Sequence, residues 1–426
     1  MPHKSHRYFA KGTMMHPRKA VVFLATLTTL APVLAAHAKG PTRTLTEWHT
    51  PSTDSYPNQL RFAPDASLYF TEVGGNKIAR LASEKGEITE WAIPTTNTGP
   101  VSLSFDDRGR AYFTEQNWHG EKGVTEKIGR LDPDTGIITE WAIPTPKALI
   151  NDLCVDKNGA VFFNEVSANK IGRLDPEAAR IAEWNVPVPS PGSDFLQGLA
   201  LDQSGNVIVT GYGQSTVVYR LDASANKLTT WTAPGAYAAL GEVTVDRQGQ
   251  IWFTEEAAMK IGRLDAVANV LTEWDVPGGA KESDQLYALD VDKRGNVYFG
   301  IQFANKIARL SSSNGTIIQW KLPPTSENPY PELKGSRVPS GVTLSADGAV
   351  YFAEFYGNSI GRLIATTPSG TPAPMITEAP ATTVTVLPEE LVLTPREREA
   401  QVTSSSVKPT KTLVTPSVRK LRGVVY

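Results

Sequence analysis

The chain has 426 residues, 40% of them hydrophobic, and its 42 basic and 44 acidic residues give a formal net charge of −2. This length and hydrophobic fraction suffice for a large core, and the balanced charge excludes the basic surface by which proteins bind nucleic acids. The single cysteine, Cys154, excludes an intrachain disulfide, and its apolar neighbours indicate a buried side chain rather than a nucleophile.

Residues 1–38 have the pattern of a secretory signal peptide. Five basic residues and no acidic residue surround the start of an apolar run over residues 20–34, and a small-residue site ends at Ala38. A membrane anchor is the alternative, but two threonines and a proline interrupt the run, which is short for a span. We expect cleavage after Ala38, a secreted or periplasmic product of net charge −7, and no transmembrane span.

A repeat begins after the leader. Two short motifs alternate along the chain, and the second ends in a tryptophan that recurs every 43 to 50 residues: Trp48, Trp91, Trp141, Trp184, Trp231, Trp274 and Trp320. Residues 243–274 show one period as four segments rich in β-branched and aromatic residues, bounded by turn residues, which predict four strands. Four strands repeated at this period predict a β-propeller.

The two ends of the repeat region predict how the ring closes. Residues 45–48 form a fourth strand without a preceding third strand, and the last repeat ends after its third strand at residues 360–363. The first strand is therefore expected to complete the last blade and to remove free sheet edges. We predict an all-β protein, a seven-bladed β-propeller over residues 39–364 with four antiparallel strands per blade and the N-terminal strand closing the last blade.

Repeated charged and aromatic residues are interpreted as scaffold. An arginine in the third strand and a glutamate in the fourth recur in most repeats, and we expect them to pair across each blade. The repeated tryptophans are expected to cover the contacts between blades.

Residues 365–426 form a tail rich in Pro, Thr and Ser that lacks the repeat motif. This composition predicts a disordered segment or linker. Residues 384–387 and 391–393 are predicted to form local strands on a partner, and the basic end at residues 419–422 indicates contact with the cell envelope. A solvated tail without a partner is the alternative.

The start of each first strand is predicted to face the central mouth, where propellers bind ligands. The polar residues at these positions are the predicted ligand-binding residues Asn58, Asn151, Gln197, Tyr287 and Ser340, and Val101 and Gly241 complete the ring. Such a ring suits hydrogen bonding to a small molecule, a glycan or a peptide. A hydrated channel without a ligand is the alternative.

The repeat motifs resemble those of the streptogramin B lyases, also called virginiamycin B lyases. Residues 252–255, Trp-Phe-Thr-Glu, followed by residues 260–264, Lys-Ile-Gly-Arg-Leu, carry the resemblance, as do residues 112–115 with 127–131. The resemblance extends from about residue 44 to residue 364. It implies a propeller that opens a cyclic depsipeptide by breaking a C–O bond with Mg²⁺, through two histidines and nearby glutamates in the last two blades.

This sequence departs from that pattern at the two histidine positions, which Tyr287 and Ser340 occupy. A tyrosine of the family's first blade is replaced by Asn58. Of the six histidines four lie in the leader, and the other two, His49 and His119, are not expected at the mouth. Whether the protein is an enzyme is therefore left open.

A ring of glutamates ends the second strands: Glu72, Glu115, Glu165, Glu255 and Glu354. Hard cations take oxygen ligands, so Mg²⁺ or Ca²⁺ held by some of these residues, with Glu255 and Glu354 as the candidates, is one interpretation. Local pairing within each blade is the other.

Two functions follow from these observations. The leading hypothesis is a secreted lyase-like propeller that binds a ligand or partner and lacks the lyase histidines. The alternative is a divalent-metal-dependent carbon–oxygen lyase, or a lactonase, acting on a cyclic ester.

Overall fold

The computed structural model describes residues 39–82, 85–117, 126–214, 216–233, 238–278, 285–325, 335–365 and 381–426. The predicted leader and His119 lie outside these residues. Apart from one 3₁₀ turn at Val166–Ala168, the regular structure of the described residues is all strand. None of it includes a helix long and apolar enough to cross a membrane.

Each repeat forms an antiparallel meander of four short strands. The first repeat contains β2 (Pro57–Phe62), β3 (Leu68–Glu72), β4 (Lys77–Leu81) and β5 (Glu87–Ala92). The second contains β6 (Leu103–Phe105), β7 (Ala111–Glu115), β8 (Lys127–Asp132) and β9 (Ile137–Ala142). The third contains β10 (Ile150–Val155), β11 (Val161–Glu165), β12 (Lys170–Asp175) and β13 (Arg180–Asn185). The fourth and fifth repeats contain β14 (Phe195–Leu201), β15 (Val207–Tyr212), β16 (Val217–Asp222) and β17 (Lys227–Thr232), then β18 (Leu240–Val245), β19 (Ile251–Glu255), β20 (Lys260–Asp265) and β21 (Val270–Asp275).

The last repeats contain β22 (Leu286–Val291), β23 (Val297–Ile301), β24 (Lys306–Leu310) and β25 (Ile317–Lys321), then β26 (Pro339–Leu344), β27 (Val350–Glu354) and β28 (Ser359–Ala365). The first strand of the chain, β1 (Lys39–His49), pairs antiparallel with β28, with Thr46 opposite Arg362. The predicted closure of the last repeat by the N-terminal strand is therefore confirmed.

The innermost strands meet around a common centre. Each first strand contacts the first strand of the next repeat, and β26 of the last repeat contacts β2 of the first. Between neighbouring repeats lie apolar clusters in which a buried tryptophan of one repeat shares a core with second-strand residues of the next, as Trp91 does with Phe113 and Trp184 with Val207. The tryptophans thus cover the contacts between sheets.

The repeated arginines and glutamates do not pair with each other, which corrects the expected cross-strand pairing. The arginines lie over aromatic rings instead, as Arg130 does over Trp141 with its guanidinium carbon 5.1 Å from the ring centroid. Four of the five glutamates pair with the lysine that begins the third strand, as in the 3.0 Å ion pair between Lys170 and Glu183, and the fifth, Glu47, pairs with Arg337. The flat guanidinium suits an aromatic face, whereas the compact ammonium suits a buried carboxylate.

The tail is not disordered over residues 381–426, contrary to the sequence prediction. It forms six strands: β29 (Thr382–Thr385), β30 (Pro388–Val392), β31 (Arg396–Glu399), β32 (Val402–Ser406), β33 (Thr410–Leu413) and β34 (Ser417–Val425). The first five add one strand each to the outer edge of the fifth, fourth, third, second and first repeats, in that order. The tail therefore runs around the repeats in the direction opposite to the rest of the chain, and we call residues 381–426 the belt.

The last belt strand joins two repeats. β34 pairs with β25 on one side and with β1 on the other, so the sixth and last repeats share one nine-stranded sheet. The other five sheets of the described chain have five strands. The prediction of four strands per sheet was wrong because it did not include the belt.

The belt repeats every seven residues. The backbone N–H groups of Val386, Leu393, Ala400, Val407 and Val414 donate at 2.7–2.9 Å to the turn between the third and fourth strands of successive repeats. The same residues, and Leu421 after them, pack against the apolar clusters between repeats. Each seven-residue segment of the belt therefore contacts one repeat. Only one apolar residue per heptad lies at this repeated position, and others, such as Leu387 and Val392, are exposed, so the segment alone cannot form a core.

Candidate functional site

The innermost strands surround a central channel whose enclosed cavity has a volume of about 20 Å³ and opens to solvent at its mouth. Four of the five predicted ligand-binding residues line it: Asn58, Asn151, Tyr287 and Ser340. The fifth, Gln197, is not among the lining residues, although its backbone carbonyl accepts a 3.4 Å hydrogen bond from Asn151 Nδ2. The structure thus brings together most of the predicted mouth.

Several mouth side chains are held by the neighbouring repeat. Asn58 Nδ2 donates to the carbonyl of Val101 at 3.1 Å, and Ser340 Oγ donates to the carbonyl of Pro57 at 3.0 Å. Both bonds cross from one repeat to the next, so these side chains are positioned before any ligand arrives. Preorganisation of this kind lowers the entropic cost of binding.

The backbone at the mouth is also constrained. The residue before the innermost strand adopts a left-handed conformation in four repeats, with φ of 46° to 52° at Tyr56, Leu149, Ala239 and Val338. Non-glycine residues adopt this conformation at a cost of about 1 kcal/mol or more, and such residues cluster where surrounding contacts impose a geometry. Their recurrence at one position shows that the repeat itself imposes the turn into the channel.

Sequence reasoning missed a second layer of channel residues, one or more positions further along the innermost strands. It contains Gln59, Arg61, Ser102, Asp152 and Glu242. The signal was present in the sequence, since charged residues interrupt apolar strands at Arg61, Asp152 and Glu242. It was not used because only the closed ring shows which of these side chains face one another.

Asp152 ties three repeats together. Its Oδ1 accepts a 2.6 Å hydrogen bond from Ser102 Oγ, and its Oδ2 accepts a 2.9 Å hydrogen bond from the backbone N–H of Leu199. Burial raises the pKa of Asp152, while the Ser102 hydrogen bond and the charge of Arg61 act in the opposite direction. Asp290 does the same between the last repeats, accepting from the N–H of Leu344 at 2.9 Å. These two carboxylates are structural.

Glu242 differs because no hydrogen bond or ion pair joins its carboxylate to another described residue. Burial raises its pKa to about 8, and the charge of Asp152 adds to the shift while Arg61 opposes it. Burial also raises the pKa of the Tyr287 phenol well above its usual value, with Glu242 as the next cause. A carboxyl group near neutrality and a phenol therefore face the channel together.

The glutamates predicted to hold a metal have partners within their own repeats. Glu255 lies beside Glu273 and Lys260, and burial followed by the charge of Glu273 raises its pKa to about 8. Glu354 accepts hydrogen bonds from Arg337 and Ser359, and Arg337 also pairs with Glu47 at 2.7 Å. No group of three or more His, Cys, Asp or Glu side chains suited to a metal occurs among the described residues. Glu255 and Glu354 are thus not brought together.

A Mg²⁺ site like that implied by the lyases does not fit these residues. Where the resemblance expects histidines, Tyr287 supplies a neutral phenol and Ser340 a hydroxyl that donates to Pro57. Glu354, the predicted metal-binding glutamate of the last repeat, forms an ion pair with Arg337. The one histidine in the described residues, His49, is exposed at the end of β1, away from the channel-lining residues. These residues therefore do not form the Mg²⁺ site that the resemblance implies.

The chain is similar to known lyases in sequence and in fold. The profile of the virginiamycin B lyase family matches residues 39–212 and 117–332. No curated protein sequence matches the chain significantly.

Virginiamycin B lyase from Staphylococcus aureus is 24% identical, with a TM-score of 0.64 over 76% of this chain and 99% of that chain. A streptogramin B lyase structure is 26% identical, with a TM-score of 0.65 over 76% and 98%. YCF48, solved with the D1 peptide, is 11% identical with a TM-score of 0.50 over 76% and 97%, which shows the fold alone. Because the family profile covers most of its length, this chain belongs to the virginiamycin B lyase family.

Proposed function

We propose that this protein is an exported seven-bladed propeller that binds a small polar ligand in its central channel and has lost the lyase reaction of its family. The observation that carries the proposal is the pair Tyr287 and Ser340. Both line the channel at the positions where the resemblance expects histidines, and neither supplies a general base at neutral pH.

The lining of the channel supports binding of a polar ligand. Amides, hydroxyls and a carboxyl group converge from Asn58, Asn151, Glu242, Tyr287 and Ser340, and apolar side chains separate them. A concave site with a few positioned polar groups is the usual form of a small-molecule site. A sugar, a short peptide or another polar small molecule matches this set of donors and acceptors.

Export rests on the leader alone. The basic start, the apolar run and the small-residue site before residue 39 support passage to the periplasm or the exterior. N-terminal sequencing of the protein recovered from its native host is expected to begin at Lys39. A product that retains residues 1–38 would contradict export.

The binding function is tested with the chain from residue 39 onward. We would screen it against glycan and peptide arrays and a library of polar metabolites by thermal shift, then repeat each hit with Asn151→Ala and Tyr287→Ala. The expected result is a hit that both substitutions weaken about tenfold or more, which is the loss of a buried hydrogen bond to a polar group. A ligand whose affinity neither substitution changes would place binding elsewhere and overturn the proposal.

The second candidate is a carbon–oxygen lyase or a lactonase, which membership of the lyase family favours. Incubation with quinupristin and Mg²⁺, followed by chromatography and mass spectrometry, separates the possibilities. Elimination would shift retention without a change in mass, whereas hydrolysis would add one water. We expect the substrate to remain unchanged. Turnover in either form that Tyr287→Ala abolishes would replace the binding proposal.

A further inference from the structure

The fifth repeat has no side chain at the mouth position of its innermost strand. Gly241 stands at the mouth position there, and a Cβ on it would lie 2.1 Å from Oε1 of Glu256. The carboxylate of Glu256 therefore occupies the space that the side chain at position 241 would fill. Its neighbour along the innermost strand, Glu242, lines the channel directly.

These two carboxylates have no partner within the described chain. Glu256 is 93% buried, and its Oε1 atom makes no hydrogen bond. Glu242 makes no hydrogen bond or ion pair to a described residue either. A buried carboxylate oxygen without a donor costs free energy, and other glutamates of this chain share that feature. Glu242 and Glu256 differ from them in position, because Glu242 is partly exposed at the channel and Glu256 fills the space beside Gly241, so a ligand in the channel could supply the donors.

The surrounding groups determine what kind of donor fits. Asp152 and Asp290 are occupied by backbone amides, and Arg61, the one basic residue among those that line the channel, acts on both of them and on Glu242. Tyr287 and Glu242 both line the channel, and the charges of Glu242 and Glu256 add to burial in raising the pKa of the Tyr287 phenol. The acidic side chains on this side of the channel outnumber its one guanidinium group, that of Arg61. The local charge therefore favours binding of a cationic group.

We propose that Glu242 and Glu256, together with the ring of Tyr287, bind the ammonium or guanidinium group of a small organic cation. The proposal rests on the proposed binding function and names the chemistry of its ligand. Two carboxylates supply the acceptors for the N–H donors, and an aromatic ring supplies a cation–π face. A hard metal ion is a poorer fit because Ca²⁺ takes six to eight oxygens and Mg²⁺ demands an octahedral set.

The probes are n-butylammonium and n-butylguanidinium, with 1-butanol and butyrate as neutral and anionic controls, and CaCl₂ and MgCl₂ as metal arms. Calorimetry on the chain from residue 39 onward is expected to show binding of the organic cations only. Glu242→Gln and Glu256→Gln are each expected to weaken binding about tenfold or more. Glu177→Gln, at an exposed acid, is the matched control and should leave the affinity unchanged.

The pH dependence adds a second readout. Burial raises the pKa of Glu242 and of Glu256 to about 8, so both carry more charge as the pH rises through 8. Cation binding should strengthen from pH 6.5 toward pH 9 and lose this dependence in the double glutamine variant. Binding of Ca²⁺ or Mg²⁺ in place of the organic cations would overturn the proposal. If the channel binds neutral ligands through Asn151 but no cation, the binding function stands and this inference fails.

A different observation, the seven-residue period of the belt, carries a second inference. Each heptad contributes the same set of contacts: an antiparallel strand pairing, one N–H donated to a turn, and one apolar side chain placed between repeats. We infer that the belt is a separable strand donor, held by these contacts rather than by its covalent connection, and that it staples a protein that has no disulfide.

The test inserts a specific protease site between residues 366 and 380 of the full chain and cleaves it after folding. The cleaved belt is expected to co-elute with the repeats and to leave the melting temperature within a few degrees of the uncleaved protein. Val386→Asp in the same background should lower the denaturant concentration at which the cleaved belt separates from the repeats, and Leu387→Asp should not. Loss of the belt on cleavage alone would show that the covalent connection holds it and would overturn the inference.

Discussion

The inner ends and the outer edges of the repeats differ in how much the residues at equivalent positions vary. At the inner ends, equivalent positions of the repeats hold residues of different chemistry, as Val101, Gly241 and Tyr287 show. At the outer edges, tryptophan, arginine and a belt heptad recur almost unchanged. The repeated contacts act together to hold the sheets, whereas a unique ligand site needs residues that differ. Stability is thus expected to depend on the outer edges and function on the inner ends.

The largest effect should come from removing the belt. Deleting residues 381–426 exposes the outer strand of every repeat and removes the six belt side chains that pack against the apolar clusters between repeats. We expect the melting temperature to fall by about 10 °C or more, because apolar burial contributes about 1 kcal/mol per partly buried side chain and the lost strand pairings add to it. Differential scanning calorimetry checks this, and an unchanged melting temperature would contradict the role of the belt in stability.

A single belt anchor should show a smaller effect. Val386 is 7% exposed against the fifth repeat, whereas its neighbour Leu387 is 81% exposed. Val386→Asp places a carboxylate in an apolar cluster and is expected to reduce the free energy of unfolding by about 3 kcal/mol. Leu387→Asp, the matched control, should change it by less than about 0.5 kcal/mol. If chemical denaturation gave equal losses of unfolding free energy for the two variants, burial at the heptad position would not contribute to stability.

The repeated acid pairs make the outer halves of the sheets sensitive to pH. Burial and a neighbouring glutamate raise the pKa of Glu165 to about 7 and that of Glu255 to about 8. Because the folded state holds these protons more tightly than the unfolded state, the free energy of unfolding should be highest near the ordinary carboxyl pKa of 4.5 and should fall as the pH rises to 8. Glu140, whose pKa is lowered, acts in the opposite sense below pH 4.5.

Melting temperatures between pH 4.5 and pH 9 measure this dependence. Glu255→Gln retains a neutral partner for Lys260 and Glu273 and should flatten the curve at its alkaline side. Glu177→Gln, at an exposed acid, serves as the control and should leave the curve unchanged. A stability that rises steadily from pH 5 to pH 8 would show that the buried glutamates remain ionised.

The smallest effect on stability is expected at the inner ends. Asn151 lines the channel and donates one long hydrogen bond of 3.4 Å, so Asn151→Ala should lower the free energy of unfolding by about 1 kcal/mol or less. The same substitution should reduce ligand affinity about tenfold, because the ligand loses a positioned amide. A large loss of stability in Asn151→Ala would contradict the assignment of stability to the outer edges of the repeats and of function to their inner ends.

The amino-acid sequence by itself determined the repeat and the pairing of the first strand with β28, because these depend on motifs that recur and on where the first and last of them fall. It also placed Asn58, Asn151, Tyr287 and Ser340 at the channel, because their position within the repeat predicts their position in space. Only the tertiary structure decided what lies across the channel, since Arg61, Asp152 and Glu242 are distant in the chain and line one channel when the innermost strands close their ring.

The belt shows the same limit. Its seven-residue spacing is visible in the sequence, but other apolar residues lie between the spaced positions. The spacing therefore identifies a buried set of residues only when a surface is present to receive it. The folded repeats supply that surface as a series of unpaired edges spaced one heptad apart. Backbone hydrogen bonding to those edges, which composition cannot reveal, turns a segment that would be disordered alone into six ordered strands.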